Sequence, residues 1–327
     1  MSILTIAIPT YHRAKELLRL LEIIQGEISR LTISGAVEVI VGDNSTDDVT
    51  KDAIAQSEFA NVPWMDYRKN EKNIGYDHNI LSLFCESHGQ FVWLVGDDDI
   101  IFEGSLQKVI DLLEYDPDIV HLPFRQPQDL EQPQYQRTPR IKHWQSMPGA
   151  VEQILKYAKI TSFVFKKSFE PDKVRIGAMF GHTGWMHLIL GFEVLMHSKR
   201  INTITLSEFF AGSLDSEWKT INWTPAPYLQ AKKLSQHEIF NKFDLKREIG
   251  VFRSSMYLAG IQTTLMVTSG RLSTKLPMSE YFEFGASYPF NLSLLAKPVW
   301  LLKFMIIKLR AGAGIPRLIG LYEKMNK

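Results

Sequence analysis

Three adjacent carboxylates, Asp97, Asp98 and Asp99, follow Gly96 at the end of the apolar run Phe91-Val92-Trp93-Leu94-Val95. Neighbouring acids repel one another, so a cation among them offsets their charge, and hard oxygen ligands suit Mg²⁺ or Mn²⁺. An ion held there can grip a phosphate. Asp is also favoured in turns and at helix N-caps, so an acidic capped turn is the competing reading of the same residues. Other polar clusters could do chemistry too: Thr10-Tyr11-His12-Arg13, the acidic Gly42-Asp43-Asn44-Ser45-Thr46-Asp47-Asp48, and Asn73-Ile74-Gly75-Tyr76-Asp77-His78-Asn79. Further on, Gly181-His182-Thr183-Gly184-Trp185-Met186-His187 brings two histidines and an aromatic ring into one glycine-punctuated segment.

The first of these clusters stand where apolar stretches end. Leu4–Ile8, Val37–Val41 and the run Phe91–Ile101 read as strands, with a further one at Trp64–Tyr67. Between the first two, Leu17, Leu18, Leu21, Ile24 and Ile28 recur at helical spacing. Strands alternating with helices predict an α/β fold with a doubly wound, mostly parallel sheet, whose ligands bind outside the carboxyl ends of the strands. All the early polar clusters lie on that edge. No Gly-x-Gly-x-x-Gly follows the first strand and no Gly-Lys-Ser/Thr loop occurs, so a nucleotide there is held by side chains. Further strands are expected at Ile119–Leu122, Thr161–Phe165 and Ile201–Leu206, a helix at Ser105–Tyr115, and a helical face at Leu188, Ile189, Phe192, Leu195 and Met196. Gln126–Arg140, rich in Gln and Pro, reads as a surface loop.

Beyond about Ser216 the pattern becomes helical, with amphipathic stretches at Tyr228–Gly250 and Val251–Ser269. The final stretch, Leu292–Lys327, sets seven Lys and Arg residues against Glu323 among apolar groups. A basic amphipathic segment of this kind can lie on an anionic membrane surface, and a helix packed on the protein itself is the competing reading.

Composition narrows the partners. With 327 residues and a net charge of +1, the chain can bury a large core and carries no global field that would gather nucleic acid. The single cysteine, Cys85, forms no internal disulfide and fits a reducing compartment. No secretory signal and no apolar window of about eighteen residues is seen. The expected location is cytoplasmic, peripheral on the inner face of the cell membrane through the tail.

In order, Ile8-Pro9-Thr10-Tyr11-His12-Arg13, Val41-Gly42-Asp43-Asn44-Ser45-Thr46-Asp47, Asn73-Ile74-Gly75-Tyr76 and Gly96-Asp97-Asp98-Asp99 resemble the family 2 glycosyltransferases of GT-A fold. The resemblance covers about the first 110 residues and continues more loosely to about residue 210. The layout is also similar to the bacterial abequosyltransferase-like branch that builds O-antigen units. It implies a nucleotide-sugar-binding half at 1–110, an acceptor-side half at 111–215 and an added C-terminal helical region with the basic tail at 216–327. It further implies that Thr10 and Arg13 flank the nucleotide, that Asp43 accepts a hydrogen bond from the base, and that Asn73 and Gly75 shape the wall near the diphosphate. Asp97 and Asp99 become the Asp-x-Asp element, with Asp99 the preferred metal ligand and Asp97 near the ribose or sugar. A second register puts Gly96 where relatives have the first Asp and makes Asp98 the aligned second carboxylate, so all three acids stay in play.

The activity implied is metal-dependent transfer of a sugar from a nucleotide-sugar donor to a glycan acceptor hydroxyl, the acceptor being a lipid-linked intermediate of surface polysaccharide. Inversion at the anomeric carbon is the family's usual outcome. Relatives usually place a base carboxylate at the start of a helix beyond the acidic turn, whereas Gly184-Trp185-Met186-His187 has none. His187 is the nearest group able to take a proton near neutral pH, His182 is second and Glu193 more distant, with structural histidines as the competing reading. Trp185 is placed to stack on an acceptor sugar or to pack in the core. A sugar nucleotidyltransferase is the rival enzyme, although Pro9 to Lys15 lacks the glycine of a triphosphate loop. A catalytically silent nucleotide-binding scaffold is the rival outside enzymes.

Overall fold

The computed structural model describes residues 2–33, 35–125, 141–156, 159–206, 210–213, 220–221, 231, 233–253, 256 and 273–274. The chain divides into two compact units, Met1–Ser216 with Lys233–Ile249, and Glu217–Lys232 with Gly250–Lys327. Within the second unit the described strands β12 (Thr220–Ile221) and β13 (Ser273–Thr274) pair in parallel. The loop expected at 126–140, most of the helix expected at 251–269 and the basic stretch 292–327 lie outside the described residues. No helix among the described residues is long and apolar enough to cross a membrane.

The first unit is an α/β fold. Among the described residues its main sheet has eight strands: β1 (Leu4–Thr10), β2 (Val37–Asp43), β3 (Met65–Lys69), β4 (Phe91–Leu94), β6 (Ile119–His121), β8 (Ile141–Trp144), β9 (Phe163–Lys166) and β10 (Thr203–Leu206). Their order is β3-β2-β1-β4-β9-β6-β10-β8. The first four run parallel, as do β6 and β10, while β9 and β8 run against their neighbours. Every residue of β1 is buried, as a parallel strand covered on both faces requires. The small second sheet joins β5 (Asp99–Ile101), β11 (Ala211–Ser213) and β7 (Phe124–Arg125).

Helices cover both faces. On α1 (Ala14–Ser29) the residues Leu17, Leu20, Leu21 and Ile24 are buried at three- and four-residue spacing, one stripe of a helix laid on the sheet. They pack in one cluster with Leu4, Ile6 and Ile8 of β1, Val39 of β2, Trp93 of β4 and Leu106 and Val109 of α4 (Ser105–Leu113). The short α2 (Val49–Ala55) lies beside α1. A second group of helices, α3 (Tyr76–Glu86), α6 (Lys173–Phe180) and α7 (Met186–His197), packs together, with α5 (Met147–Lys156) against α7. Residues 186–195 of α7 are buried all round, because the chain's return through α8 (Ile239–Lys242) covers its outer side: Phe240 stacks edge-on to Phe192 at 5.2 Å.

One expectation is corrected here. The run Phe91–Ile101 is two strands of different sheets, broken by a turn in which the Asp99 amide donates to the Gly96 carbonyl at 3.1 Å. The carboxylates therefore do not simply emerge into water. Asp97 and Asp99 are buried.

Candidate active site

Strand register assembles the polar clusters. β1 and β2 pair so that Thr10 faces Asp43, β2 and β3 pair so that Asp43 faces Lys69, and Ala7 of β1 pairs with Leu94 of β4, so the turn after β4 lies beside the end of β1. A chain of hydrogen bonds runs along this edge. Thr10 Oγ1 donates to Asp97 Oδ2 at 2.7 Å, the Asn44 amide donates to the Thr10 carbonyl at 2.9 Å, and Asn44 Nδ2 reaches the Gly75 carbonyl at 3.2 Å.

Within the acidic turn the three carboxylates have separate environments. Asp97 accepts from Thr10 and from Arg13 Nη1 at 3.0 Å. Asp99 accepts from the Thr161 hydroxyl and lies 3.6 Å from Lys159 Nζ. Thr161 also accepts the Gly96 amide at 3.0 Å, tying the turn to the residues that lead into β9. Burial pushes both carboxyls up to about 6, against the pull of Arg13 on Asp97 and of Lys159 on Asp99. Asp98 is different. Its side chain is 36% exposed and meets Arg13 Nη1 at 2.7 Å. Gly96 is needed for this packing, since a Cβ there would sit 2.9 Å from Asp99 Oδ2.

The expected metal site can be tested on this donor set. Among the described residues no group of three or more His, Cys, Asp or Glu side chains is arranged to hold an ion. Asp99, the expected ligand, is fully buried; its Oδ2 is bonded to Thr161, whereas its Oδ1 has no hydrogen-bond partner and lies 3.6 Å from Lys159 Nζ. The turn also offers the part-exposed carboxylate of Asp98, paired with Arg13 through Oδ2. That fits Mg²⁺ or Mn²⁺, which keep waters and take substrate phosphate oxygens in place of an all-protein cage.

Asp43, expected to meet the base, is buried and both of its oxygens are engaged. Oδ1 accepts from the Ser45 amide at 2.8 Å and Oδ2 from the Tyr67 hydroxyl at 2.5 Å. Asn73 Oδ1 accepts the Gly75 amide at 2.8 Å, and Gly75 takes φ +84°, a conformation glycine adopts without a Cβ clash. Asn70 and Asn79, which sequence reasoning did not single out, complete the wall: Asn70 Nδ2 donates to Asn44 at 2.7 Å and to Asn79 at 3.1 Å, and Asn79 Nδ2 donates to the Gly42 carbonyl at 2.7 Å. Arg13 sits just before α1 and is 48% exposed. His12 beside it has φ +53°, with its amide bonded to Ser45 Oγ at 2.8 Å.

The segment 181–187 is built by a residue that carried no functional assignment. Asp77, buried in the first turn of α3, accepts the amides of His182 and Gly184 at 2.8 Å each and that of Met186 at 3.1 Å. A carboxylate thus stands at the start of α7 after all, delivered from α3. Burial pushes its pKa up, while the amide bonds hold it down. His182 is exposed, takes φ +98° and meets His78 edge-on at 5.7 Å. His187 is only 3% exposed, with its ring 6.2 Å from Phe163 and 6.0 Å from Trp185. Trp185 is half-buried. Glu193 is buried in a triad, accepting from Arg175 Nη2 at 2.8 Å and lying 3.2 Å from His237 Nε2, and these two partners hold its pKa down against burial. It packs the 233–249 segment onto α7 and does not reach the crevice edge.

Comparisons with known proteins agree with this architecture. The family model described as "Glycosyl transferase family 2" matches residues 5–170. Abequosyltransferase RfbV of Salmonella typhimurium (strain LT2) is 30% identical over 118 residues, 36% of this chain and 34% of that protein, so the chain spans about a third of this curated relative. Among solved structures, S. aureus TarS superposes with a TM-score of 0.52 at 14% identity, covering 98% of this chain and 50% of that one. TarS 1-349 in complex with UDP-GlcNAc gives 0.51 at 13% identity, covering 95% and 81%. The mannosyltransferase PcManGT from Pyrobaculum calidifontis, in complex with GDP-Man and Mn²⁺, gives 0.50 at 14% identity, covering 95% and 88%. At such identities these structures speak for the fold, a GT-A-type α/β sheet. The family model spans half of the chain and takes in the strand exits that carry Thr10, Asp43 and the acidic turn, and on that ground the chain belongs to glycosyl transferase family 2.

Proposed function

We propose that the protein is a glycosyltransferase moving a sugar from a nucleotide-sugar donor to a hydroxyl of a glycan acceptor, with Mg²⁺ or Mn²⁺ shared between Asp98 and the donor diphosphate. The observation that carries this reading is the part-exposed Asp98 carboxylate between two buried ones, at the edge where Thr10, Arg13, Asn73 and Gly75 also stand. The neighbours crystallised with UDP-GlcNAc and with GDP-Man and Mn²⁺ are in line with it. Uracil and guanine both present an imide N–H to a carboxylate, so the base stays open. Asp43 meets such a base by exchanging its Ser45 or Tyr67 bond for one from the imide.

When bound, the ion supplies neutralising charge to the departing nucleoside diphosphate. The chain's own residues do the rest. Asp97 and Thr10 fix the floor, Arg13 pairs with diphosphate oxygens, and Trp185 stacks on the acceptor sugar. The acceptor oxygen attacks the anomeric carbon in line, the bond to the phosphate oxygen breaks with inversion, and the hydroxyl proton passes to an imidazole. His182 is the better owner of that proton than His187, because it is exposed at the mouth of the segment while His187 is packed on Phe163. The partial match to an abequosyltransferase is in line with a glycan acceptor; the acceptor of this proposal is a lipid-linked intermediate of bacterial surface polysaccharide, met at the cytoplasmic membrane face through the basic stretch 292–327. The silent-scaffold reading draws on the absence of a side-chain carboxylate within 184–187.

A thermal-shift screen of UDP, GDP, CDP and dTDP with and without Mn²⁺ tests the proposal. A ligand at about 100 times its Kd stabilises the native state by about 2.7 kcal/mol. One nucleotide should raise the melting temperature, by more with Mn²⁺, and Asp98→Asn should remove the Mn²⁺ increment. Equal shifts with and without the ion, or an unchanged increment in Asp98→Asn, contradict the metal site. Release of sugar from the matching nucleotide-sugar, lost in His182→Ala, separates the enzyme from a silent binder.

A further inference from the structure

We infer that Arg13 is the resident counter-ion of the metal-binding carboxylate, so that metal and diphosphate bind as a coupled pair by displacing it together. The inference rests on the proposed site at Asp98. Arg13 Nη1 lies 3.0 Å from Asp97 Oδ1 and 2.7 Å from Asp98 Oδ2, and so bridges the buried acid and the open one. The other cations at the turn have different partners. Lys159 faces Asp99, and Arg19 Nη2 donates to the Asp98 backbone carbonyl at 3.2 Å. Arg13 is therefore the cation on the part-exposed carboxylate of the turn.

Two consequences follow from charge alone. Arg13 already offsets the Asp98 charge through Oδ2, and a guanidinium held between Asp97 and Asp98 repels an incoming divalent ion at close range. Metal alone is thus a weak ligand. A diphosphate changes the balance, because the planar fork of arginine suits phosphate oxygens as well as carboxylate ones. Arg13 can exchange carboxylate for phosphate while Asp98 takes the ion, and the turn trades one cation for another. The geometry allows this movement. The backbone beneath Arg13 is pinned at His12 by Ser45, whereas the side chain is 48% exposed. By linkage, whatever diphosphate adds to metal affinity, metal adds to diphosphate affinity.

Titration of the full chain with Mn²⁺ alone, following the electron paramagnetic resonance signal of the free ion, reads this without any substrate. Arg13→Gln should bind Mn²⁺ at least about tenfold tighter than wild type, which corresponds to about 1.4 kcal/mol. Arg13→Lys keeps a competing charge and should stay near wild type. Adding UDP or GDP, whichever shifts the melting temperature, should tighten Mn²⁺ less in Arg13→Gln than in wild type. A measurable titration in Arg13→Gln beside an undetectable one in wild type supports the inference, and no tightening, or none detectable in either, overturns it. Circular dichroism and melting of each variant confirm that it is folded. Asp98→Asn keeps the two readings apart. If it abolishes Mn²⁺ binding in both backgrounds while Arg13→Gln fails to tighten, the counter-ion role fails alone. If Asp98→Asn leaves Mn²⁺ affinity unchanged, the metal site fails and takes the inference with it.

Discussion

Asp77 organises more of the segment 181–187 than either of its histidines does. Its carboxylate collects three backbone amides from residues more than one hundred positions away and fixes both the positive φ of His182 and the start of α7. Asp77→Ala leaves those buried donors unpaired, and a cost of about 3 kcal/mol is expected from the loss of charge-assisted bonds. Chemical denaturation measures the loss, and hydrogen exchange should quicken at the amides of 182, 184 and 186; unchanged protection there would contradict the assignment. The residue types were legible in the sequence: the acidic turn, Thr10, Arg13 and the asparagines all stand at strand exits. Their partners were not. Thr161 and Lys159, which engage Asp99, lie about sixty positions further along the chain, and no local pattern announces such a pairing.

At the scale of elements, long apolar strands and the α1 stripe were readable because burial imposes a period on the sequence. The run Phe91–Ile101 misled for the same reason, since apolar residues on both sides of Gly96 look like one strand when they serve two sheets. The short strands β5, β7, β8 and β11, two to four residues each, leave no period to find. Turns show the same limit. Gly181, between α6 and α7, reads only as punctuation, yet a Cβ there would stand 2.3 Å from His78 Cε1 and 2.5 Å from the Gly177 carbonyl. Gly181→Ala should cost about 1–3 kcal/mol by overpacking. His78→Ala in that background should recover part of it in a double-mutant cycle, and strict additivity of the two changes would contradict the contact.

Over the whole molecule, near-zero net charge means that specificity is local, and stability against acid depends on buried groups. His121, buried in β6 against Phe163 at 5.4 Å, has its pKa lowered to about 3 by burial and by nearby Lys156. In the unfolded chain it titrates near 6.5, so between these values the unfolded state binds more protons and stability falls as pH falls. The contribution is complete above about pH 6.5 and roughly 2 kcal/mol of it is gone by pH 5. His121→Gln should lower stability at pH 7 yet flatten its slope between pH 7 and 5; an unchanged slope would place the acid sensitivity elsewhere.

In the proposed site the part-exposed Asp98 carboxylate of the acidic turn holds the ion that meets the donor diphosphate. An anomalous-scattering map from crystals grown with Mn²⁺ and the nucleoside diphosphate picked out by thermal shift tests it most directly. A peak bonded to Asp98 and to diphosphate oxygens is expected, with Arg13 moved onto phosphate. A peak held by Asp97 and Asp99, or nucleotide bound with no ion at residues 96–99, would contradict it.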